Sequence, residues 1–504
     1  MKPGETRLNG QTIHSLLDAA AQEAPDAPAI RDATGRWTYR ELAAAARAFA
    51  RWLRRQGIGR GDRVVVQLPT SRELAAMFYG TSRVGAVFVP LNPAMKEFHL
   101  RSVVGNAEPE LVLTDAAGAP VLRRVSTVPV HDIADVRPDL VPAGEDPGEA
   151  EAVAPDDLAV LIYTSGSTAA PKAVMCPHAQ VTFACRALTE VLGYRPDDVV
   201  LCRFPMSWDY GLCKVLMTCV ARCEIVLADG ESDVRLLRRM RETGVTVVPI
   251  VPSLATMIVR LAGRDTRPVP PVRMFTNTGA ALPQSTIDAL RTHFPGARVV
   301  RQYGQTEAKR ITVMPPGADR ERPDSVGLPL PGTRVLILDD DGSPLPAGEV
   351  GEIVATGPHV MAGYWRNPED TARSFRRDPR TGEPLLHTGD YGWLDDDGHL
   401  YFQGRRDDMF KHKGFRMSTL EIESAAMDVP GVRAAAALPP GDGHGLALFV
   451  ESDLDAHQVI TELTKRLEPP KVPTVCRVLK EFPLTLHGKN ARRELAALIE
   501  GNGA

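Results

Sequence analysis

The stretch Leu158 to Lys172, LAVLIYTSGSTAAPK, constrains the fold more than any other part of the chain. Its apolar half, Leu158 to Tyr163, reads as a strand buried on both faces, the habit of a parallel sheet covered by helices. The run then breaks into Thr164, Ser165, Gly166, Ser167 and Thr168, and Lys172 follows Pro171. Small residues leave backbone N–H groups accessible, hydroxyls add donors, and the lysine adds a mobile point charge. That combination suits a phosphate, although a solvated Ser/Thr/Gly turn accounts for this stretch equally well. It is not a Walker A loop, since GxxxxGK[ST] cannot be read here.

The surrounding pattern agrees with a covered sheet. Helices are predicted over Gln11 to Ala24, Arg40 to Gln56 and Ser71 to Val84, with short apolar strands at Val64 to Gln67 and Ala86 to Pro90. Strands alternating with helices predict an α/β fold with a mainly parallel, doubly wound sheet. Val181, Ala184, Cys185, Leu188 and Val191 fall on one helical face after the loop, giving it a strand–loop–helix setting. Val247 to Val251 and Met274 to Thr278 are further strands, and the Pro/Gly/Glu-rich Val141 to Pro155 is a loop. At 504 residues the chain is long enough for two or more domains.

Composition excludes several functions. A formal net charge of −4 gives no reason to expect nucleic acid or an anionic membrane surface as a partner. Seven cysteines without paired CxxC spacing read as reduced thiols rather than a disulfide framework or a zinc site. The start lacks a signal-peptide core, and no window approaches the roughly 20 apolar residues of a membrane span. A soluble, cytoplasmic protein is expected.

Several polar residues sit where packing alone does not explain them. Asp209 lies between Trp208 and Tyr210 in FPMSWDYGL, where a carboxylate is costly unless it meets a cation; an exposed loop or a helix cap is the commoner fate. Gly279, Ala280 and Ala281 end a strand and permit close approach of a flat ring, or merely a tight turn. RQYGQTEAKR, from Arg301 to Arg310, closes on two cations, Lys309 and Arg310; in an extended segment their side chains alternate, so the two are not expected to face the same side. Asp390 in HTGDYG offers two oxygens to a vicinal diol, or simply stabilises a turn.

Taken in order, these segments resemble the adenylate-forming superfamily of acyl-CoA ligases, luciferases and peptide-synthetase adenylation domains. The family loop reads YTSGSTGxPKG; here Ala169 and Ala173 replace its outer glycines, adding methyls where the backbone turns closely. RQYGQTE resembles the family's YGxTE, Gly404-Arg405-Arg406-Asp407-Asp408 its GRxDD linker, and HGKN its C-terminal lysine motif. The resemblance spans nearly the whole chain. It implies a large N-terminal domain over residues 1–406, of doubly wound sheets with a β-rich subdomain, and a small mobile α+β domain over 407–504.

The site residues follow from the same resemblance. Thr164, Ser165, Gly166, Ser167, Thr168, Gly279, Ala280, Ala281, Gln302, Tyr303, Gly304, Gln305, Asp390 and Arg405 would bind ATP, with Tyr303 against adenine and Asp390 on the ribose. Lys172, Thr306 and Lys489 would act on the reacting phosphate, Lys489 also touching the acyl carboxylate. Glu307 would hold Mg²⁺, Asp407 would be the hinge, and Arg416 is a further phosphate contact. Asp209 is placed to bind a substrate ammonium, with Trp208, Cys213, Thr276, Thr278, Gln302, Lys309 and Arg310 lining the pocket. A guanidinium in that pocket wants a carboxylate, so the substrate expected is aspartate or a 3-methylaspartate-like molecule. This resembles stand-alone enzymes that activate β-amino acids for macrolactam polyketides. With no carrier domain before Ala504, the acceptor is expected in trans, as a phosphopantetheinyl carrier protein or coenzyme A. A CoA ligase for a simple acid, and an inactive nucleotide-binding module, are the alternatives.

Overall fold

The computed structural model describes residues 11–140, 152–164, 172–228, 230, 232–315, 317–405, 409–412, 415–441, 444–467, 469–480, 482–483 and 492–500. Ser165, Gly166, Ser167, Thr168, Ala169, Asp407 and Lys489 lie outside the described residues, as do most of the expected loop before Pro155 and the side chain of Arg416.

Short β-branched runs build the first sheet. Val130–Asp132, Leu111–Thr114, Arg63–Gln67, Val87–Pro90 and Leu158–Thr164 lie side by side in that order, all parallel. Except in the edge strand Val130–Asp132, their central residues are fully buried, as expected of strands covered on both faces. The phosphate-loop candidate does not lead directly into a helix. Lys172–Pro177 folds back as an antiparallel strand, pairing Thr164 with Lys172 and Tyr163 with Ala173, and only then does the helix His178–Leu192 begin. The expected strand–loop–helix is therefore a hairpin followed by a helix. Ala173 sits within that strand rather than at a tight turn, and its buried side chain packs beside Val65, Val87 and Leu161.

A second sheet runs Arg36–Thr38, Pro28–Arg31, Glu224–Leu227, Val199–Cys202, Val247–Ile250, Met274–Asn277 and Arg298–Tyr303; all neighbours but the first two strands are parallel. Beyond Tyr303 it turns antiparallel through Thr312–Val313, Ser325–Pro329, Leu400–Arg405, Pro384–Leu394, Gly351–Thr356 and Arg334–Leu338. This is the expected β-rich part. The helices Tyr39–Arg55, Arg72–Arg83, His178–Leu192 and Asp209–Ala221 share one apolar core with strands of both sheets. Tyr39–Arg55 starts at a capping box: Thr38 Oγ1 accepts from Glu41 N, and the Glu41 carboxylate accepts from Thr38 N at 2.7 Å. The last hundred residues form a smaller α+β unit, with a hairpin (Met409–His412, Phe415–Ser418) and a three-stranded sheet (Val432–Leu438, Ala447–Ser452, Val475–Leu479). No helix among the described residues is long and apolar enough to cross a membrane.

The first helix, Ile13–Glu23, is fastened to this core by two buried histidines. Ile13 N donates to His178 Nδ1 at 3.1 Å, and His14 N donates to Ser82 Oγ at 3.1 Å. Burial pushes His14 down to about 4 and His178 down to about 3, and fully buried His359 is likewise pushed down to about 4. Each binds its proton in the unfolded chain near pH 6.5 but not in the folded one, so its contribution is complete above pH 6.5 and lost as pH falls toward 4. Each histidine is expected to remove on the order of 3 kcal/mol over that window. Thermal unfolding against pH should show a flat Tm above pH 7 and a steep decline below 6. His178→Gln should flatten the decline; an unchanged slope would refute this account.

Candidate functional site

Asp209 opens the helix Asp209–Ala221, so its carboxylate lies at the positive end of the helix dipole. It is only 8% exposed. Gly211 allows the preceding turn to close, because a Cβ there would stand 2.3 Å from the Pro205 carbonyl oxygen. The partner of Asp209 is Lys309, itself 3% exposed, whose Nζ makes a direct ion pair with Oδ1 and lies 3.7 Å from Cys176 Sγ. Burial alone would lower the Lys309 pKa, but the Asp209 charge outweighs it and holds the amine above the ordinary lysine range.

The backbone explains how Lys309 reaches that position. A 3-10 turn, Thr306–Ala308, follows the strand Arg298–Tyr303, and Lys309 leaves it at φ 58° and ψ −71°. Ile311 N then returns to the Tyr303 carbonyl at 2.9 Å. This reversal needs Gly304, where a Cβ would lie 2.6 Å from Arg310 Cα. The segment is therefore not extended, and the expected alternation fails: Arg310, 6% exposed, is buried as well as Lys309. Its Nε donates to Gln302 Oε1 at 3.0 Å, its Nη1 to the Lys309 carbonyl, and its guanidinium carbon lies 4.8 Å from the Tyr210 ring centre. The Tyr210 hydroxyl donates to the Thr276 carbonyl at 2.9 Å. Buried Thr278 lies beyond the end of the same strand, and buried Cys213 follows Asp209 by one helical turn, its Sγ 3.4 Å from Cys185 Sγ. Trp208, half-buried, precedes the first turn of that helix.

A second cluster forms where the parallel and antiparallel parts of the sheet meet. Asp390 lies inside the strand Pro384–Leu394, not in a turn, opposite Arg405. The Tyr303 hydroxyl donates to Asp390 Oδ2 at 2.7 Å, and Arg405 Nε lies 3.3 Å from Oδ1. Tyr303 also packs against Phe402, with ring centres 5.3 Å apart. Gln305 Nε2 donates to the Thr388 carbonyl at 3.5 Å. Gly279, Ala280 and Ala281 are exposed beyond the strand Met274–Asn277, whose Asn277 side chain donates to the Ala280 carbonyl.

Between the two clusters, Glu307 is buried and accepts at Oε1 from the Tyr364 hydroxyl at 2.7 Å. The Tyr364 ring centre lies 5.6 Å from Lys172 Nζ, which pairs with Asp370 at 2.8 Å. Among the described residues no group of three or more His, Cys, Asp or Glu could hold a metal alone. One held carboxylate with its Oε2 to offer is what Mg²⁺ needs when nucleotide phosphates supply its remaining ligands. Glu307 fits that ion.

Tyr210, Tyr364 and Asp370 were not singled out in the sequence. Tyr210 carried one signal, its place beside Trp208 and Asp209, and Tyr364 carried none. Asp370 carried none beyond its place near a helix start, which Asn367 caps.

The curated relatives include a probable non-canonical nonribosomal peptide synthetase, CymA, of Salinispora arenicola, 33% identical over 96% of this chain. They also include 4-coumarate–CoA ligase 2 of Oryza sativa, 29% identical over 97% of this chain and 92% of the ligase. This chain spans only 6% of CymA and 8% of tyrocidine synthase 3. Among solved structures, VinN in complex with L-aspartate is 53% identical over 78% of this chain and 99% of VinN, with a TM-score of 0.73. ATP-bound MatB from Rhodopseudomonas palustris is 29% identical over 97% of this chain and 99% of MatB, with a TM-score of 0.84. Residues 17–365 match the family model described as AMP-binding enzyme, and the chain belongs to that family.

Proposed function

We propose that this chain is an adenylate-forming ligase that uses ATP and Mg²⁺ to activate an amino dicarboxylic acid, aspartate or a 3-methylaspartate-like β-amino acid, and delivers it to the phosphopantetheine thiol of a carrier protein. One observation carries the substrate: Asp209, Lys309 and Arg310 are buried together at the start of one helix. Asp209 and Lys309 neutralise each other, and among the described residues Arg310 has no carboxylate partner. A pocket with a carboxylate for an ammonium and a surplus cation beside it suits a substrate carrying one ammonium and two carboxylates. VinN, similar over its whole length, has been solved with L-aspartate and with 3-methylaspartate.

In this reading an oxygen of the substrate carboxylate attacks the α-phosphorus, the bond to the bridging oxygen breaks, and pyrophosphate leaves. No nucleophilic side chain is needed; positioning and charge neutralisation carry the step. Asp390 and Arg405 hold the ribose, Tyr303 lies along adenine, and Thr306 and Lys172 meet the phosphates. Lys172 must leave Asp370 to do so. By the family resemblance Lys489 would stand between the two reacting anions in the first step and rotation about Asp407 would withdraw it, after which the thiol attacks the acyl carbon and AMP leaves. Glu307, its Oε1 held by the Tyr364 hydroxyl, would hold Mg²⁺, which would supply charge neutralisation of the phosphates.

Pyrophosphate exchange tests the substrate directly. L-aspartate and 3-methylaspartate should support exchange, whereas malonate and plain aryl acids should not. Exchange only with simple acids would replace this reading by that of a CoA ligase, and none with any acid would indicate an inactive module.

Two variants separate the halves of the site. Arg310→Ala should lower kcat/KM for aspartate by about 100-fold or more while sparing smaller amino acids, since a charge-assisted bidentate contact is lost. Unchanged selectivity would remove the dicarboxylate argument. Asp390→Ala should raise the KM for ATP by about 10- to 100-fold with little change in the KM for the amino acid, because two charge-assisted hydrogen bonds to a diol disappear. A selective effect on the amino acid instead would sink the ribose assignment.

A further inference from the structure

Lys214 is a buried cation that the reaction outlined above does not use. It sits on the helix Asp209–Ala221, one turn beyond Tyr210, and is only 1% exposed. Among the described residues no carboxylate lies within ion-pair distance of it. Its Nζ donates to Met217 Sδ at 3.5 Å and lies 4.8 Å from the Tyr210 ring centre and 6.0 Å from that of Tyr194. An ammonium in such surroundings is costly, and an apolar residue of similar length would stabilise the helix packing better. Lys214 is therefore not explained by stability.

Its neighbour on the Tyr210 ring is informative. The Arg310 guanidinium carbon lies 4.8 Å from the same ring centre, so one aromatic ring serves two buried cations. Cations are attracted to the ring quadrupole, and Tyr210 is fixed by its hydroxyl on the Thr276 carbonyl. The one buried carboxylate at this end of the pocket, Asp209, is already paired with Lys309. What the arrangement lacks, among the described residues, is a second carboxylate.

We propose that Lys214 is a specificity-determining positioning residue: through Tyr210 it fixes the Arg310 guanidinium and adds the positive potential that selects a substrate with a second carboxylate. The inference rests on the dicarboxylate reading above and names a determinant of that same site. The charged and titratable groups around Lys214 are Arg310, Cys213 on its own helix, Cys202 on the strand Val199–Cys202, Cys185 on the helix His178–Leu192, and the two tyrosines. Burial pushes Lys214 down to about 8; the Cys213 thiol opposes that fall and Arg310 adds to it. The amine is thus charged at neutral pH and discharges as pH rises through 8.

The test compares pyrophosphate exchange with L-aspartate and with β-alanine, which lacks the second carboxylate, in wild type, Lys214→Met and Lys214→Arg. Lys214→Met should raise the KM for aspartate about tenfold, the weight of roughly one pKa unit of charge interaction, with kcat and the β-alanine KM within about twofold of wild type. Lys214→Arg should keep most of the preference for aspartate. In wild type that preference should weaken between pH 7 and 9, and in Lys214→Met it should be flat. A folded Lys214→Met protein with an undiminished preference would overturn the proposal while leaving the dicarboxylate reading intact. If neither variant folds, a wild-type preference that is constant from pH 7 to 9 overturns it. A wild type that does not prefer aspartate to β-alanine at neutral pH sinks the dicarboxylate reading, and this inference with it.

Discussion

The buried ion pair between Asp209 and Lys309 is the interaction on which the site depends. Two charges removed from water attract each other strongly, yet the gain offsets desolvation only when geometry and further contacts are right. Here the helix dipole favours Asp209, and Lys309 reaches it from a backbone conformation, φ 58°, that non-glycine residues seldom adopt. Strain of that kind persists only where its surroundings over-determine it. Gly304 and the return of Ile311 N to Tyr303 provide that constraint. Removing one partner would strand the other, at about 3–5 kcal/mol for a buried pair.

The same two segments serve both halves of the chemistry. Thr306 to Arg310 carries Glu307, held by Tyr364, and two residues later the lysine of the ion pair. The strand Lys172–Pro177 carries Lys172 at one end, near Tyr364 and Asp370, and Cys176 near its other end, 3.7 Å from Lys309 Nζ. On the proposed reading, acid recognition and phosphate handling would therefore share these two segments. A shift of either segment moves groups on both sides of the reacting bond, and an error near 1 Å is costly to a reaction that relies on positioning.

Much of this was legible in the sequence because its signals are local. Val247–Ile250 and Met274–Asn277 are short, fully buried strands that were expected at those places, as was the helix Tyr39–Arg55. Asp209 stood out as a charge among aromatic residues, and the segments bearing Tyr303, Asp390 and Arg405 were recognisable by their order along the chain. What failed depended on tertiary context. Lys309 and Arg310 were expected to alternate, but a 3-10 turn and one positive φ put both inside. KAVMCP was not read as a separate strand, because its pairing with Leu158–Thr164 closes across a loop whose own residues give no strand pattern. Asp390 looked like a turn residue, since Thr-Gly-Asp is locally turn-like, yet pairing with the strand Leu400–Arg405 holds it extended. Tyr364 and Asp370 act on residues nearly 60 and 200 positions away, a separation that no periodicity reveals.

Charge pairing across the site has a direction. Asp390 is matched by Arg405, Asp370 by Lys172, and Asp209 by Lys309. Arg310 and Lys214 remain, both against Tyr210, with no carboxylate among the described residues to balance them. Aromatic faces and a thioether lower the cost of burying those cations without cancelling their charge, so their field persists in the pocket. A neutral zwitterion gains little from that field, whereas an amino acid with a second carboxylate gains in proportion to its extra charge. On the proposed reading, preference for such a substrate would come from an imbalance already present in the folded chain, with Asp209 setting where the ammonium goes.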